Sequence, residues 1–469
     1  MHPFIRRGIT TLALVALGGS VKASEANTTV SPAPYTEARA SLNWNKPDWL
    51  SDLSVGYKVS YDDNVLRVSG NGLAPKASWV DTVSFKFGIN LLPFLSPSAS
   101  VLKSFAVVYQ PERDIYTNAS AESFTAHRLA LKLAGRSGNL SFNLENAFLF
   151  NDGNRLAALY SLNQSAGATG NQNDKYRNSL AHAPERERRN QDQDRYTATI
   201  QYDLGPVFVR PVSSLTFLHM NTASFNTSLA PYKGYQDYVN RYDINLGADV
   251  GIAIAQNWYL TAGYRQGFQY QAQFPTSINP DQHFSSNHYQ RALLGFEGHL
   301  SWLTLKIAAG PDFRDFNDHT PISETKTTRF YGEGTASVSL SQNQSVTLGY
   351  KDYVFVSSTG LVPYEDYSYS LIYHWNATNR LGFDLGVKFL EHNYTIGNDS
   401  TGSAPSLRDD YDFGGMAGVT FTITKHLRGN ANYYYDDGQN GLGSLPTKFA
   451  PGYRFFREAI VALGLQYSF

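Results

Sequence analysis

The sequence predicts an all-β chain, folded as a transmembrane antiparallel up-and-down β-barrel of about 18 strands. Three observations carry this. Apolar and polar residues alternate with period two in segment after segment, each about 11 to 15 residues long. The segments are joined alternately by very short and by long connections. The face opposite the apolar one carries an ionised side chain every few places, which suits a wet lumen and would wreck a dry sandwich core.

The chain has 469 residues, no cysteine and a formal net charge of −1. Near-neutral charge leaves no electrostatic footprint for nucleic acid. Export is expected from the N-terminus: Arg6 and Arg7 precede an apolar run from Ile9 to Leu17, and Val21-Lys22-Ala23 offers small residues where a signal peptidase reads. Residues 1–23 are thus expected to be a signal peptide, since a membrane helix needs ~20 apolar residues. With no cysteine after it, a lipid-anchored lipoprotein is excluded, and the exported chain must hold together without disulfides. The rest of the chain has no apolar run of ~18 residues, so no helical span is expected. Tyrosine (31) and phenylalanine (28) are abundant enough to furnish aromatic girdles around a barrel.

Taken in order, residues 24–51 read as a periplasmic N-terminal segment, with an extended Ser31-Pro32-Ala33-Pro34 linker and Trp44 and Trp49 flanking Pro47. About 27 residues cannot form the plug domain of a TonB-type transporter. The barrel is expected over 52–469. Its first strand, 52–64, would turn Leu53, Val55, Tyr57, Val59 and Tyr61 outward against Ser54, Gly56, Lys58, Ser60 and Asp62. Further strands are expected near 78–90, 100–110, 123–135, 138–150, 194–204, 207–220, 238–254, 257–271, 287–299, 302–315, 326–340, 344–356, 364–375, 379–392, 408–423, 427–437 and 456–468. In 379–392, Leu381, Phe383, Leu385, Val387 and Phe389 oppose Arg380, Gly382, Asp384, Gly386 and Lys388.

Connections give an independent test. Apart from 91–99, the even-to-odd links are very short, such as Arg136-Ser137, Gly205-Pro206, Gln256 and Asn376-Ala377-Thr378. The odd-to-even links are longer, up to 151–193. Outer-membrane barrels alternate this way, with short periplasmic turns, and an even strand number puts both termini in the periplasm. Sixteen strands is the competing count, should the hairpin 194–220, with Pro206 and Pro211, be mis-set.

The expected lumen lining includes the bases Arg128, Lys132, Arg241, Arg265, Arg291, Lys306, Lys388 and Arg428, with Lys351 and Arg380. The acids are Glu145, Asp243, Asp249, Glu297 and Asp384. A basic wall facing an acidic one would set a transverse field. Local ion pairing between neighbouring strands explains the same residues. The loop 151–193, with Arg186, Arg188 and Arg189 near its end, is a candidate constriction element, or a mobile surface loop with mixed charge. Acidic doublets at Asp62-Asp63, Asp409-Asp410 and Asp436-Asp437 fall at outer strand ends and read as solvated rim charge rather than a cation site. No metal site, cofactor or catalytic residue is expected: HExxH, GxSxG, P-loop and GxGxxG motifs are absent. His283 and His288, near Ser285 and Ser286, keep an outer-membrane hydrolase as a lesser alternative.

The last strand, Glu458 to Phe469, alternates like the others and ends on Tyr467-Ser468-Phe469. It resembles the C-terminal strand of bacterial outer-membrane barrels, which their assembly machinery recognises; Tyr467 and Phe469 would be that signal. Tyr61-Asp62-Asp63-Asn64-Val65-Leu66-Arg67 resembles a stretch found in the second putative β-barrel porin family. The resemblance implies a porin-like channel in the cell outer membrane, passing small hydrophilic solutes by passive diffusion. It also implies outer-membrane lipid, lipopolysaccharide and the barrel assembly machinery as partners. Porins are often trimers, so a homotrimer stays open. A barrel serving export or surface adhesion is the alternative.

Overall fold

Period-two alternation needs a partner on each side of every strand, because each strand carries unpaired N–H and C=O groups along both edges. A closed sheet meets that need without leaving an edge. The computed structural model describes residues 47–65, 76–95, 101–120, 123–152, 190–221, 240–272, 286–317, 325–356, 363–393, 409–440 and 455–469. The expected signal peptide, most of the 24–51 segment, and residues 153–189 of the expected loop 151–193, with Arg186, Arg188 and Arg189, lie outside these residues, while Asn151 and 190–193 belong to strands.

Eighteen strands form one sheet: β1 Leu50–Asp62, β2 Ser78–Asn90, β3 Leu102–Tyr116, β4 Phe124–Ser137, β5 Leu140–Asn151, β6 Asn190–Leu204, β7 Val207–Asn221, β8 Arg241–Ala255, β9 Trp258–Gln271, β10 Asn287–His299, β11 Leu303–Phe316, β12 Lys326–Ser341, β13 Gln344–Phe355, β14 Tyr364–Thr378, β15 Leu381–Asn393, β16 Asp409–Thr422, β17 Leu427–Asn440 and β18 Phe455–Ser468. Every strand pairs antiparallel with its sequence neighbours, and β18 pairs with β1, closing the barrel. The count is 18 and not 16: the proline-bearing hairpin β6–β7 is regular, turning at Gly205 with φ +70°, where glycine suffers no Cβ clash.

At the closing seam Lys58 stands opposite Gly464 and Ser60 opposite Ala462. Gln466 lies opposite Gly56 and donates to Ser54 Oγ at 3.0 Å, while Glu458 lies opposite Asp436 on β17. Phe469 donates its N–H to the Leu53 carbonyl at 3.0 Å, tying the chain's last residue to the first strand.

The outward face is apolar on every side of the barrel. Tyr57, Trp79, Leu246, Ile252, Leu294 and Leu463 are all at least half exposed. A belt of this kind has no place in water, where exposed apolar patches stay small. Aromatics cluster on this face in two tiers. Trp258 stacks on Phe296 and Trp375 on Phe383 near the short turns, while Tyr350, Tyr369, Phe389 and Tyr411 form a chain toward the long connections. Such girdles place amphipathic rings at both rims of a hydrocarbon layer. No helix among the described residues is long and apolar enough to cross a membrane.

Candidate functional site: the barrel interior

Strand register assigns each side chain to one face. Residues directly opposite on neighbouring strands share a face, so parity propagates around the barrel. All the lumen candidates from the sequence have inward parity except Arg380. That residue lies in the turn between β14 and β15, where Thr378 Oγ1 accepts from the N–H groups of Arg380 and Leu381 at 3.1 and 3.0 Å. The hydroxyl closes the turn two residues later than the apolar alternation suggests.

Register also exposes an ordering the sequence reading missed. Seven consecutive strands, β6 to β12, each carry one inward arginine: Arg195, Arg210, Arg241, Arg265, Arg291, Arg314 and Arg329. Six consecutive strands, β14 to β18 and then β1, each carry an inward carboxylate: Asp366, Asp384, Asp412, Asp436, Glu458 and Asp62. The signal for Arg195, Arg210, Arg314, Arg329 and Asp312 was available in the same parity that selected their neighbours. In Asp312-Phe313-Arg314, for example, the exposed Phe313 marks the lipid face.

The arginine-bearing strands also carry inward acids, Asp243, Asp249, Glu297, Asp312 and Glu333, so the two signs are interleaved there and pair locally. Arg210 grips Glu297 with two parallel bonds, Nη1 to Oε1 at 2.6 Å and Nη2 to Oε2 at 2.9 Å. Its Nε and Nη2 also reach Asp249 Oδ2 at 3.1 and 3.0 Å. Arg265 Nη1 takes the other Asp249 oxygen at 2.7 Å. The planar fork of arginine suits such bidentate pairing. Gly263 makes room for it, since a Cβ there would lie 2.5 Å from Asp249 Oδ1.

A second network sits nearer the long connections. Arg314 donates to Asp312 Oδ2 at 3.0 and 2.8 Å, to Gln269 Oε1 at 2.7 Å and to Asn287 Oδ1 at 2.9 Å. Arg291 lies between the rings of Tyr289 and Tyr331, 4.1 and 4.2 Å from their centroids, and its Nε is 3.1 Å from Asp312 Oδ2. Tyr289 OH donates to Asp243 Oδ1 at 2.8 Å, and its ring lies over Gly267. Elsewhere Lys132 pairs with Glu145 at 3.1 Å, and Arg128 with Glu112 on β3 at 3.4 Å. His374 bonds Asp384 at 2.7 Å.

Burial divides the lumen along its axis. Near the short turns Lys132 keeps 48% of its side chain exposed and Lys306 is exposed. Toward the long connections Asp312 and Arg314 are fully buried. Part of that cover is the tip of the β13–β14 hairpin. The β12–β13 ladder stops at Gly332 opposite Asp352, whereas the β13–β14 ladder runs on to Phe355 opposite Tyr364. Beyond Asp352 the hairpin leaves the wall and leans inward. Tyr353 and Tyr364 pack with Leu293 and Tyr331, and Val354 packs on Phe316. Gln269 Nε2 donates to the Val354 carbonyl at 3.3 Å, and Arg241 Nη1 to the Val356 carbonyl at 3.1 Å. Backbone carbonyls that leave a ladder must find donors elsewhere, and these side chains supply them.

Two of the acidic doublets, Asp62-Asp63 and Asp436-Asp437, are not simple rim charge; the side chains of Asp409 and Asp410 lie outside the described ones. Asp62 and Asp436 point inward and are buried, while Asp63 accepts the Ala459 N–H at 2.7 Å and Asp437 meets Arg457 at 3.2 Å. Among the described residues no group of three or more histidines and carboxylates is placed to hold a metal ion. Ser286 Oγ accepts the Gln271 N–H at 3.0 Å, while His288 packs on Phe268 on the outward face, so those two do not form a pair. His283 and Ser285 lie outside the described residues.

No family model matches the chain, and no curated protein matches it. The heptad 61–67 is therefore the whole of the family resemblance, together with the chain's length and ends. Solved structures do resemble it. The outer-membrane protein OpdK of Pseudomonas aeruginosa is 11% identical with a TM-score of 0.41, over 90% of this chain and 100% of its own. OccAB4 of Acinetobacter baumannii is 8% identical with the same TM-score, over 90% and 100%. The ferric citrate transporter FecA is 10% identical with a TM-score of 0.39. The match covers 85% of this chain and 61% of FecA, so the chain spans less than two thirds of that transporter's length.

Proposed function

We propose that the barrel spans a bacterial outer membrane, with both termini in the periplasm, and passes small hydrophilic solutes by passive diffusion. The observation that supports this most is the division of the strands into an apolar outer face and an ionised inner one on a closed ring of 18. A barrel of that strand number encloses a lumen wider than side chains alone fill. Solutes would be filtered by size and by the charged side chains that line the lumen. Tyr467 and Phe469, on the outward face at the short-turn rim, would be read by the assembly machinery. Lipopolysaccharide would contact the opposite rim.

The test is planar-bilayer recording from purified, refolded protein whose folding is verified by heat-modifiable migration. Stepwise conductance is expected. Silence from protein shown to be folded removes the open-channel reading.

A further inference from the structure

We propose that the inward-leaning outer ends of β13 and β14, residues 353–356 with Tyr364 and called the tip below, set the narrowest passage through the barrel, and that Arg241 and Gln269 are the positioning residues that hold them there. This rests on the channel reading above.

The argument begins with distance around the wall. Gln269 is on β9 and Arg241 on β8, four and five strands from β13. At ~4.8 Å between neighbouring strands, that is roughly 20 Å or more along the wall. No single side chain spans it, so carbonyls bonded at 3.3 and 3.1 Å belong to a tip that has crossed part of the interior. The departure point is fixed by register: β13 pairs with β12 only as far as Asp352. What carries the tip inward is apolar burial. Val354 is fully buried against Phe316, and Tyr364 is nearly so against Leu293. What stops it from swinging is the pair of side-chain bonds to its freed carbonyls.

The two anchors differ in kind. Gln269 also donates to Asp243 at 2.9 Å and accepts from Arg314, so the wall network fixes its amide. Arg241 stands at the outer end of β8 and reaches the Val356 carbonyl. Removing both leaves the apolar contacts but frees the tip to swing.

The absence of native cysteine makes the test clean. Phe316→Cys and Val354→Cys are introduced together with Arg241→Ala and Gln269→Ala, and also into the chain that keeps both anchors, whose conductance should change little on reduction; the thiols are bridged by a short reducible bis-thiosulfonate reagent. Bridging, read by mass, reports where the tip lies whether or not anything conducts. The bridged protein lacking both anchors is expected to conduct like wild type, and reduction of the same sample to raise single-channel conductance roughly two-fold or more. Equal conductance of that variant before and after reduction overturns the proposal while leaving the channel reading standing. Failure to bridge in folded protein overturns the placement of the tip. Successful bridging with silence in every form overturns the channel reading, and this proposal with it.

Discussion

Arg210 on β7 holds Glu297 on β10 by two bonds of 2.6 and 2.9 Å, reaching past two intervening strands. The guanidinium simultaneously bonds Asp249, so one side chain ties three strands together across the interior. Breaking a buried pair from one side leaves a charge without its counter-ion, and that costs about 3–5 kcal/mol. Arg210→Ala is expected to lower unfolding stability by about that much, read by denaturant titration in lipid vesicles. Arg210→Lys should recover only part of the loss, because an ammonium cannot reproduce the fork. Full recovery by lysine would show that charge alone matters here.

Gly267 carries the ring of Tyr289: a Cβ at that position would lie 2.1 Å from Tyr289 Cζ. Gly267→Ala must push the ring away from Asp243, Asn245 and Arg291 together. A loss of about 1–3 kcal/mol is expected, as for other overpacked sites. Gly415 has nothing within 4 Å of its Cβ position, so Gly415→Ala serves as the control and should leave stability unchanged. Equal effects at the two positions would refute the packing argument.

The two faces of the wall predict opposite tolerance to charge. Leu246, mid-strand on the outward face of β8 and 60% exposed, should not accept arginine. Leu246→Arg is expected to cost about 2–4 kcal/mol, the depth-dependent cost of a cation facing hydrocarbon. Thr335, inward and exposed opposite Lys306, should accept the same change with little loss. Unfolding titrations from vesicles compare them, and similar costs would argue against a lipid-facing belt.

Lys132 and Lys306 are the exposed cations of the wet half of the lumen. Lys306→Glu with Lys132→Glu should move the reversal potential in a salt gradient toward cation preference. Because these groups are solvated, the shift should shrink at high ionic strength. A reversal potential that does not move would place the ion path elsewhere.

The fold was legible because period-two alternation and loop-length alternation are local signals that repeat down the chain. They delivered the strand number and the facing of Asp249, Arg265 and Lys388 from residue types alone. Turn chemistry shifted what alternation could not see: the Thr378 hydroxyl closes its turn late, taking Arg380 off the wall. Parity names a face but not a partner. It cannot show that Arg210 meets Glu297 three strands away, since that depends on strand stagger and on Gly263 giving way. Nor can it show that β13 leaves β12 at Asp352, because Tyr353, Val354 and Tyr364 read as ordinary strand residues until Phe316 and Leu293 are placed opposite them.

The early end of the β12–β13 ladder has a mechanical consequence. A closed ring of strands shares load around its circumference, with no preferred place to begin parting. Here the ring carries a notch, its root at Gly332 and Asp352. Tension or thermal fluctuation should concentrate there, so β12 and β13 should part from this point before neighbouring ladders do.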